Sequence, residues 1–309
     1  MTRGWLHGVM PKLALLALVG VAVLTVAGRQ LAPHDPLAQD VNYILRGPSS
    51  AHWFGTDYLG RDVLSRILAG TQQSVLTALE AMLVALVLGA VPALLCLAFG
   101  NIFDWFANRV TDAIMTLPTL VFAIACIAVF GNRLTPVMIA MGFLMAPQFF
   151  RVTRAAALGY AGEQYVEAAE LFGVSRVRSL AVHIVPKVLP TIVVTAASVT
   201  AVSLLIVSSL MFLGIGVVPP APTWGGVLAT DLSYLSRQPW APLFPAMFIV
   251  VTAASLNILA DAVRDRSRTA RAVTSDPASA TGPFVLVDDT DPHALTAKES
   301  LDAADDPAA

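Results

Sequence analysis

The sequence predicts an all-α integral membrane protein with six transmembrane helices. Apolar residues make up 56% of the chain, charged residues only 13%, and the apolar residues are concentrated in six long runs. The mean hydropathy is accordingly high, at +0.71. A soluble domain carries about 25% charged residues, whereas a hydrocarbon core of roughly 30 Å needs about 20 apolar residues per spanning helix. Most of the chain must therefore face lipid or another apolar protein surface.

The six runs are expected to be helical, because lipid offers no partner for unpaired backbone amides. Their approximate bounds are Leu13–Ala27, Ser74–Phe99, Ala113–Phe130, Pro136–Phe150, Leu189–Gly216 and Pro242–Val263. The first run resembles a signal peptide, since Arg3 and Lys12 precede a short apolar stretch. However, Arg29-Gln30 is a poor cleavage site and five more runs follow. We interpret the first run as an uncleaved helix.

The distribution of Lys and Arg predicts the orientation and the domain organisation. These residues are more frequent in the segments that are cytoplasmic if the N-terminus is inside, so both termini are predicted to face the cytoplasm. The chain then divides into an N-terminus with the first helix (residues 1–31), an external loop (32–73), a five-helix core (74–268) and a cytoplasmic tail (269–309). The tail is acidic and rich in Ala, Pro, Ser and Thr, a composition typical of disorder.

Composition argues against several classes of function. A net charge of -2 argues against a nucleic-acid partner. The two cysteines lie in apolar runs and the five histidines are scattered without ligand spacing, so no metal site is expected. None of the lysines follows a glycine, so the chain has no Gly-Lys-Ser/Thr phosphate cradle and no cofactor of its own is expected. The apolar runs hold no paired carboxylates or nucleophile set, so no catalytic residue is predicted.

The first informative motif is a polar interruption between the fourth and fifth runs, Tyr165-Val-Glu-Ala-Ala-Glu-Leu-Phe-Gly173. Residues 163–172 fit one short helix that presents, at helical spacing on one face, Tyr165, Ala168, Ala169 and Phe172. Small alanines allow a partner surface to approach closely. Gly173 suits the left-handed position that ends a helix, and Ser175 can cap the next helix.

This motif resembles the EAA loop of ABC importer permeases. The resemblance lies in Glu-Ala-Ala, then three residues, then Gly173, followed by a basic segment and by Pro186, which opens the next apolar run. It implies a short cytoplasmic helix that docks into a groove on a separate ATPase subunit, and the implied coupling residues are Tyr165, Glu167, Ala168, Ala169, Phe172, Gly173 and Pro186. The alternative is an ordinary amphipathic cytoplasmic loop.

The second motif runs from His52 to Gly70, just before the second apolar run. Gly55 and Gly60 permit turns, and Asp57 can cap a helix start. An apolar stripe follows with a polar side, which predicts an amphipathic helix at the membrane interface. The stretch resembles the signature of the C-type permease subunit of the dipeptide/oligopeptide branch, with signature residues Gly55, Asp57, Gly60, Arg61 and Asp62. A structural role is favoured over substrate contact.

The third motif is the stretch from Phe212 to Gly225, which resembles a segment of the same branch. Its prolines cannot continue a helix, so a stiff external loop is predicted. Trp224 and Trp240 suit the headgroup region. The signature residues here are Gly214, Gly216, Trp224 and Gly225. One departure is Val207, which stands where relatives usually carry an acidic residue.

The resemblance also implies the other subunits of an ABC importer. A type I-like permease core would reside in the cytoplasmic (inner) membrane and pair with a second permease subunit, the family favouring a heterodimer. Two ABC ATPase domains would bind ATP and Mg²⁺, and an external solute-binding protein would deliver a di- or oligopeptide. The same branch also carries nickel, glutathione or sugars. The competing class is an ion-coupled secondary transporter, for which Glu80 is the single candidate pathway residue.

Overall fold

The computed structural model describes residues 9–215 and 220–274. Apart from one β-bridge between Thr56 and Asp62, the regular structure of these ranges is helical. The helices are α1 (Val9–Ala27), a 3₁₀ turn (Val41–Tyr43), α2 (Val63–Phe99), α3 (Asn101–Met115), α4 (Thr119–Phe130), α5 (Leu134–Ala161), α6 (Gln164–Leu171), α7 (Arg176–Ser179), a π-helical turn (Leu180–Ile184), α8 (Val185–Phe212), α9 (Trp224–Ser233) and α10 (Leu243–Thr274).

The chain divides into two compact units. Residues 1–267 form the first, which holds the helical bundle, and residues 268–309 form the second. Within the second unit the described residues, 268–274, belong to the end of α10. The rest of the predicted disordered tail, 275–309, lies outside the described residues, as does the predicted signature residue Gly216.

Within residues 9–215 and 220–274, five helices are long and apolar enough to cross a membrane. Their ranges are Val9–Ala27, Val63–Phe99, Leu134–Ala161, Arg176–Phe212 and Leu243–Asp265. The prediction of one continuous helix over Ala113–Phe130 is wrong, because α3 ends at Met115 and the 12-residue α4 begins at Thr119. Pro118 causes the break, since it has no backbone N–H and disfavours the helical conformation of the residue before it. At 1.5 Å per residue, α4 is about 18 Å long.

Two of the spanning helices are longer than the apolar runs predicted. Helix α2 starts at Val63 rather than Ser74, and α5 continues beyond Phe150 to Ala161. The added turns contain charged side chains that find partners inside the protein. Arg66 contacts Asp57, and Arg154 contacts Asp104. Pairing with a neighbouring carboxylate allows a helix to extend past its apolar run.

Helices α2 and α5 form the most extensive helix pair among the described residues. Their backbones approach closely at two glycines: a Cβ on Gly89 would clash with the Ala146 carbonyl and a Cβ on Gly142 with the Ala81 carbonyl. Small residues at such positions let helices pack tightly in a membrane, where packing replaces the hydrophobic effect as the source of stability. Helix α8 packs against both α2 and α5, so these three helices form the centre of the bundle.

The central apolar cluster joins the first turns of α2 to α5, α8 and α9. Its fully buried members include Ile67, Met138, Met141, Leu204 and Trp224. Because α2 has 37 residues and is about 55 Å long, this cluster near its start is far from a second cluster at its end. The second cluster lies beneath α6 and is described below.

Candidate functional site

The EAA-type loop (residues 165–173) lies almost entirely in α6, which follows α5 after a two-residue turn. The backbone N–H of Glu163 donates to the Tyr160 carbonyl (3.3 Å), and the N–H of Val166 donates to the Glu163 carbonyl (2.9 Å). These bonds set α6 directly on the end of α5. Eight residues give a helix of about 12 Å, too short to be stable alone, so packing must hold it in place.

The inner face of α6 is anchored by Val166, which is buried with Ala157 of α5 and with Leu180, Ile184 and Val188 of the segment that follows. Partly buried residues near the end of α2 complete this cluster: Leu94, Leu97 and Ala98. The inner face of α6 is therefore part of one apolar cluster that also includes residues at the adjacent ends of the three central helices.

The exposed end of α6 differs from the predicted partner face. Tyr165, expected on that face, is partly buried, with its ring 6.2 Å from the His183 ring and Lys187 Nζ 3.9 Å from its centroid. The most exposed apolar side chains are instead Leu171 and Phe172, each 89% exposed. Leu171 was not included in the predicted partner face. An apolar side chain at the end of a short polar helix could have indicated its exposure.

The end of α6 confirms the prediction for Gly173. Its φ is +81°, the left-handed conformation, and the Val174 N–H donates to the Ala169 carbonyl at 3.0 Å. The Phe172 N–H donates to the Ala168 carbonyl at 3.1 Å. This bonding pattern closes the helix with a sharp turn, which fixes the direction of the exposed pair. Glu167 lies on the same helix.

The prediction for Ser175 needs correction. Ser175 occupies the position before α7, but its hydroxyl makes no capping bond; its carbonyl accepts the Ser179 N–H at 2.9 Å. Pro186 lies in the first turn of α8, as predicted, although the segment before it is already helical. Residues 176–212 are helical throughout, with the π turn just before Pro186, where the Val185 N–H donates to the Leu180 carbonyl. Pro186 has no N–H to donate, and widening the preceding turn accommodates its ring.

A cavity of about 330 Å³ lies under α6, between α3, α5 and α7. Its polar lining is dominated by an ion pair: Arg154 donates from Nε and Nη2 to Asp104 at 2.6 and 2.7 Å. The hydrogen bonds from Arg154 are the largest influence on Asp104 and hold the pKa of its carboxyl below the usual range. This two-bonded pair ties α3 to α5 beside the anchored face of α6.

At the opposite end of α2, the second motif forms a buried charge network. Asp57 accepts the Arg61 Nε at 2.8 Å and Nη2 at 2.7 Å, and Arg66 Nε lies 3.5 Å from the same carboxylate. The predicted interfacial amphipathic helix is wrong, because Arg61, Asp62 and Arg66 are buried and the apolar stripe is part of the central cluster. The residue that caps α2 is Asp62, not Asp57.

The turns of this motif are as predicted. Gly55 and Gly60 both have positive φ, +78° and +74°. A Cβ on Gly60 would clash with the Asp40 carbonyl, so only glycine fits where the two parts of the loop meet. The signature residues therefore build a closed structure in which the buried charges satisfy one another.

The prediction for Trp224 at the headgroups is wrong. Its side chain is fully buried, its indole Nε1 donates to the Ile67 carbonyl (3.1 Å), and its backbone N–H donates to Ser74 Oγ (3.0 Å). Gly225 beside it packs on the Ser208 carbonyl, and Gly214, with φ of +76°, ends α8. The third motif thus locks α9 onto α2 and α8. Trp240 is partly exposed near Gly47.

A second cavity, of about 450 Å³, opens on the face formed by α5 and α8. Its lining is rich in methionine, with polar groups at one end: Met115, Thr119, Met141, Met145, Gln148 and Arg151. Glu80 is not among the lining residues. It lies partly buried on the side of α2 that also exposes Leu76 and Leu83. Val207, where the resemblance led us to expect an acidic residue, is fully buried in the central cluster.

These features define an all-helical, multi-pass membrane protein with a short helix, α6, whose end exposes two apolar side chains. The chain belongs to the family of binding-protein-dependent transport system inner membrane components, whose sequence pattern matches residues 85–269. It is therefore a transport permease and not an enzyme, and its place is the inner membrane.

Similar proteins carry related names. The chain is 36% identical over 235 residues to the probable D,D-dipeptide transport system permease protein DdpC of Escherichia coli K12, covering 76% of this chain and 79% of the relative. It is 32% identical over 257 residues to the dipeptide permease DppC of Alkalihalophilus pseudofirmus (81% and 84% covered). It is 33% identical over 257 residues to the glutathione permease GsiD of Escherichia coli O1:K1 (83% and 85% covered).

Proposed function

We propose that this chain forms half of the translocation pathway of an ATP-driven importer of di- or oligopeptides. The observation that carries the proposal is the exposure of Leu171 and Phe172 on a helix whose other face is firmly packed. Two exposed apolar side chains that a sharp turn holds in a fixed direction are typical of a binding site for another protein. In this proposal its partner is a separate ATPase subunit, which binds ATP and Mg²⁺.

Coupling follows from what α6 contacts. The ATPase closes on ATP and moves α6, and Val166 transmits the movement to the ends of α2, α5 and α8. The Asp104–Arg154 pair carries the same movement to α3. The bundle needs two packings of similar free energy, because a partner can shift an equilibrium only by its differential affinity for the two states. ATP binding favours the outward-facing packing and hydrolysis restores the inward-facing one.

The topology that fits this mechanism has six membrane crossings with both termini in the cytoplasm. The third crossing is made by α3 and the short α4 together, since α3 runs along α5 from the Asp104–Arg154 pair to the cavity that Ile114 and Phe143 both line. The chain break between Met115 and Thr119 is then at membrane depth. Irregular backbone is tolerated there when it lines a cavity, and Met115 and Thr119 both line the 450 Å³ cavity.

This cavity is our candidate for the half of the pathway that this chain contributes. Its methionines provide an adaptable apolar wall, which suits peptides with varied side chains. Gln148 supplies a hydrogen-bonding amide for the peptide backbone, and the guanidinium of Arg151, which also donates to Asp112 at 2.8 Å, adds further donors. A second permease subunit, in a heterodimer, completes the wall, and an external solute-binding protein delivers the cargo.

Glu80 is better placed to meet the second permease subunit than to line this cavity. It stands near the middle of α2 beside exposed Leu76 and Leu83, and an ionised carboxylate facing lipid is costly. The same position is the one observation that favours ion-coupled transport as the second candidate. Uptake that persists without the ATPase and collapses when the proton gradient is removed would favour that candidate.

The test is substrate-stimulated ATPase activity of the assembled complex carrying Phe172→Asp. We expect at least a tenfold loss, together with loss of the ATPase during purification, because the charge stands where an apolar contact forms. The matched control is Val41→Asp, at a position in the loop between α1 and α2 where the side chain is 79% exposed. Full activity in Phe172→Asp would contradict the proposal. Competition of labelled dipeptide uptake by glutathione, nickel and sugars identifies the cargo.

A further inference from the structure

Two histidines that are distant in the sequence converge on one buried carboxylate in the α1–α2 loop (residues 28–62). His52 Nδ1 lies 3.0 Å from Asp62 Oδ1, and His34 Nδ1 lies 3.8 Å from Asp62 Oδ2. The two imidazole rings are 4.7 Å apart, and one ligand atom from each of the three residues lies within 4.8 Å of the others. The sequence spacing gave no sign of this cluster.

The cluster is held in place by Ser65 in the first turn of α2. The Ser65 backbone N–H and hydroxyl both donate to Asp62 Oδ2, at 2.8 and 2.6 Å. The same hydroxyl accepts the backbone N–H of His34 at 3.0 Å. One serine therefore fixes the carboxylate and the backbone of a histidine, leaving Asp62 Oδ1 directed at the ring of His52. Such a supporting bond orients ligands in metal sites.

The charges around the cluster favour a cation. The nearby arginines, Arg61 and Arg66, contact Asp57. Among the residues that the structure describes, Asp62 has only the two histidines as ionic partners. Asp62 is almost fully buried, whereas the side chain of His34 is 42% exposed. A buried negative charge with an open approach on one side can be neutralised by an ion from solution.

We propose that His34, His52 and Asp62 bind a divalent transition metal ion of the Zn²⁺ class. Zinc binds imidazole nitrogen and carboxylate oxygen at about 2.0–2.2 Å in a tetrahedron, which places neighbouring ligand atoms roughly 3.3–3.5 Å apart. The separations of 3.0 and 3.8 Å between the histidine Nδ1 atoms and the Asp62 oxygens lie on either side of this spacing. Two nitrogen ligands disfavour Mg²⁺ and Ca²⁺. Water fills the fourth position on the exposed side of His34. The bound ion joins two distant parts of the loop to the start of α2.

The experiment is metal titration of the purified full-length chain, prepared without a polyhistidine tag. We expect one Co²⁺ per chain, with the visible absorption of a tetrahedral site, displaced by Zn²⁺. His34→Gln and His52→Gln should each weaken binding at least tenfold, as should Asp62→Asn, which keeps an oxygen to cap α2. The matched control is His183→Gln, which lies at the other end of the bundle and should bind as the wild type does.

A second measurement needs no spectroscopic probe. Zn²⁺ should raise the melting temperature of the wild-type chain and of His183→Gln, because an ion that binds only the folded state stabilises it. It should not raise that of the His34→Gln/His52→Gln double variant, in which Asp62 and the helix cap are intact. Equal Co²⁺ stoichiometry in wild type and double variant would overturn the proposal, as would no binding by the wild type at micromolar metal. Neither result depends on transport.

Discussion

The α1–α2 loop and the EAA-type loop are both polar connections between apolar helices, but they differ in which side chains they bury: charged ones in the first and an apolar one in the second. In the first, the buried carboxylate of Asp57 contacts Arg61 of the loop and Arg66 in the first turn of α2, both also buried. In the second, Val166 is buried while Leu171 and Phe172 remain exposed. The first loop buries a paired charge network, although it also exposes Val41 and Trp53. The second loop is anchored by one buried apolar side chain and exposes two others, where we propose that a partner binds.

This difference assigns the two loops different tasks. A buried, mutually paired charge network loses much free energy if it opens, so the α1–α2 loop holds the start of α2 rigidly. The EAA-type loop makes few contacts with the rest of the chain beyond one anchored face, so it can move with a partner. The predictions below test that contrast, beginning with the largest effect.

The largest effect is expected from Asp57→Ala. The substitution leaves Arg61 and Arg66 buried without their shared carboxylate, and breaking a buried pair in this way costs about 3–5 kcal/mol. The folded yield and the melting temperature in detergent should both fall sharply. Phe172→Asp, at an exposed position, should melt as the wild type does. If the wild type, Asp57→Ala and Phe172→Asp all had the same melting temperature, the proposed contrast between the two loops would be wrong.

A smaller and more specific effect is expected from Gly173→Val. A Cβ there meets no other atom within 4 Å, so only the positive φ opposes the substitution. A left-handed β-branched residue costs at least about 1–2 kcal/mol, which should distort the end of α6 and reduce substrate-stimulated ATPase activity several-fold. Gly173→Asn is the control, because asparagine tolerates this conformation. If valine and asparagine give the same activity, the turn does not position the exposed pair.

The smallest effect is expected at Asp231 of α9. Its side chain is buried, and one of its carboxylate oxygens is unpaired among the described groups. Burial first, and the charge of Asp57 second, raise the pKa of Asp231 to about 7, while Arg66 opposes the shift. The folded state therefore binds more protons than the unfolded state between about pH 4 and pH 7, so stability falls as the pH rises through this window.

Asp231→Asn removes this pH dependence. The variant should melt a few degrees above the wild type at pH 8, and the difference should shrink towards pH 5, where the wild-type carboxyl is protonated in the folded protein. Thermal melting of both proteins across this pH range is the measurement. A difference that is constant with pH would show that Asp231 does not titrate in the window.

Local patterns in the sequence predicted the parts of the fold that depend on neighbouring residues. The apolar runs predicted the spanning helices, and Gly173, Gly55 and Gly60 have the left-handed conformations that their turns required. The break between α3 and α4 at Pro118 could also have been predicted, because proline and the residue before it disfavour helix. The apolar run around Pro118 led us to expect one continuous helix instead.

The errors concern contacts between distant parts of the chain. Trp224 is buried because Ile67 and Ser74, about 150 positions earlier, supply its hydrogen-bond partners. His34 and His52 meet only because Ser65 and Asp62 hold the loop against α2. The network of Asp57 turns an amphipathic stripe into a buried one. Spacing along the chain carries no information on such pairings, whereas the resemblance of residues 165–173 to an EAA loop depends only on a local pattern.

The most direct test of the central claim is site-specific photocrosslinking from position 172 in the assembled complex. Replacing Phe172 with benzoylphenylalanine keeps an aromatic side chain, and the same residue at Val41 serves as the exposed control. We predict crosslinks to the ATPase subunit from position 172 and none to it from position 41. An intact complex in which position 172 gives no crosslink to the ATPase would contradict the account of the EAA-type loop as the coupling site.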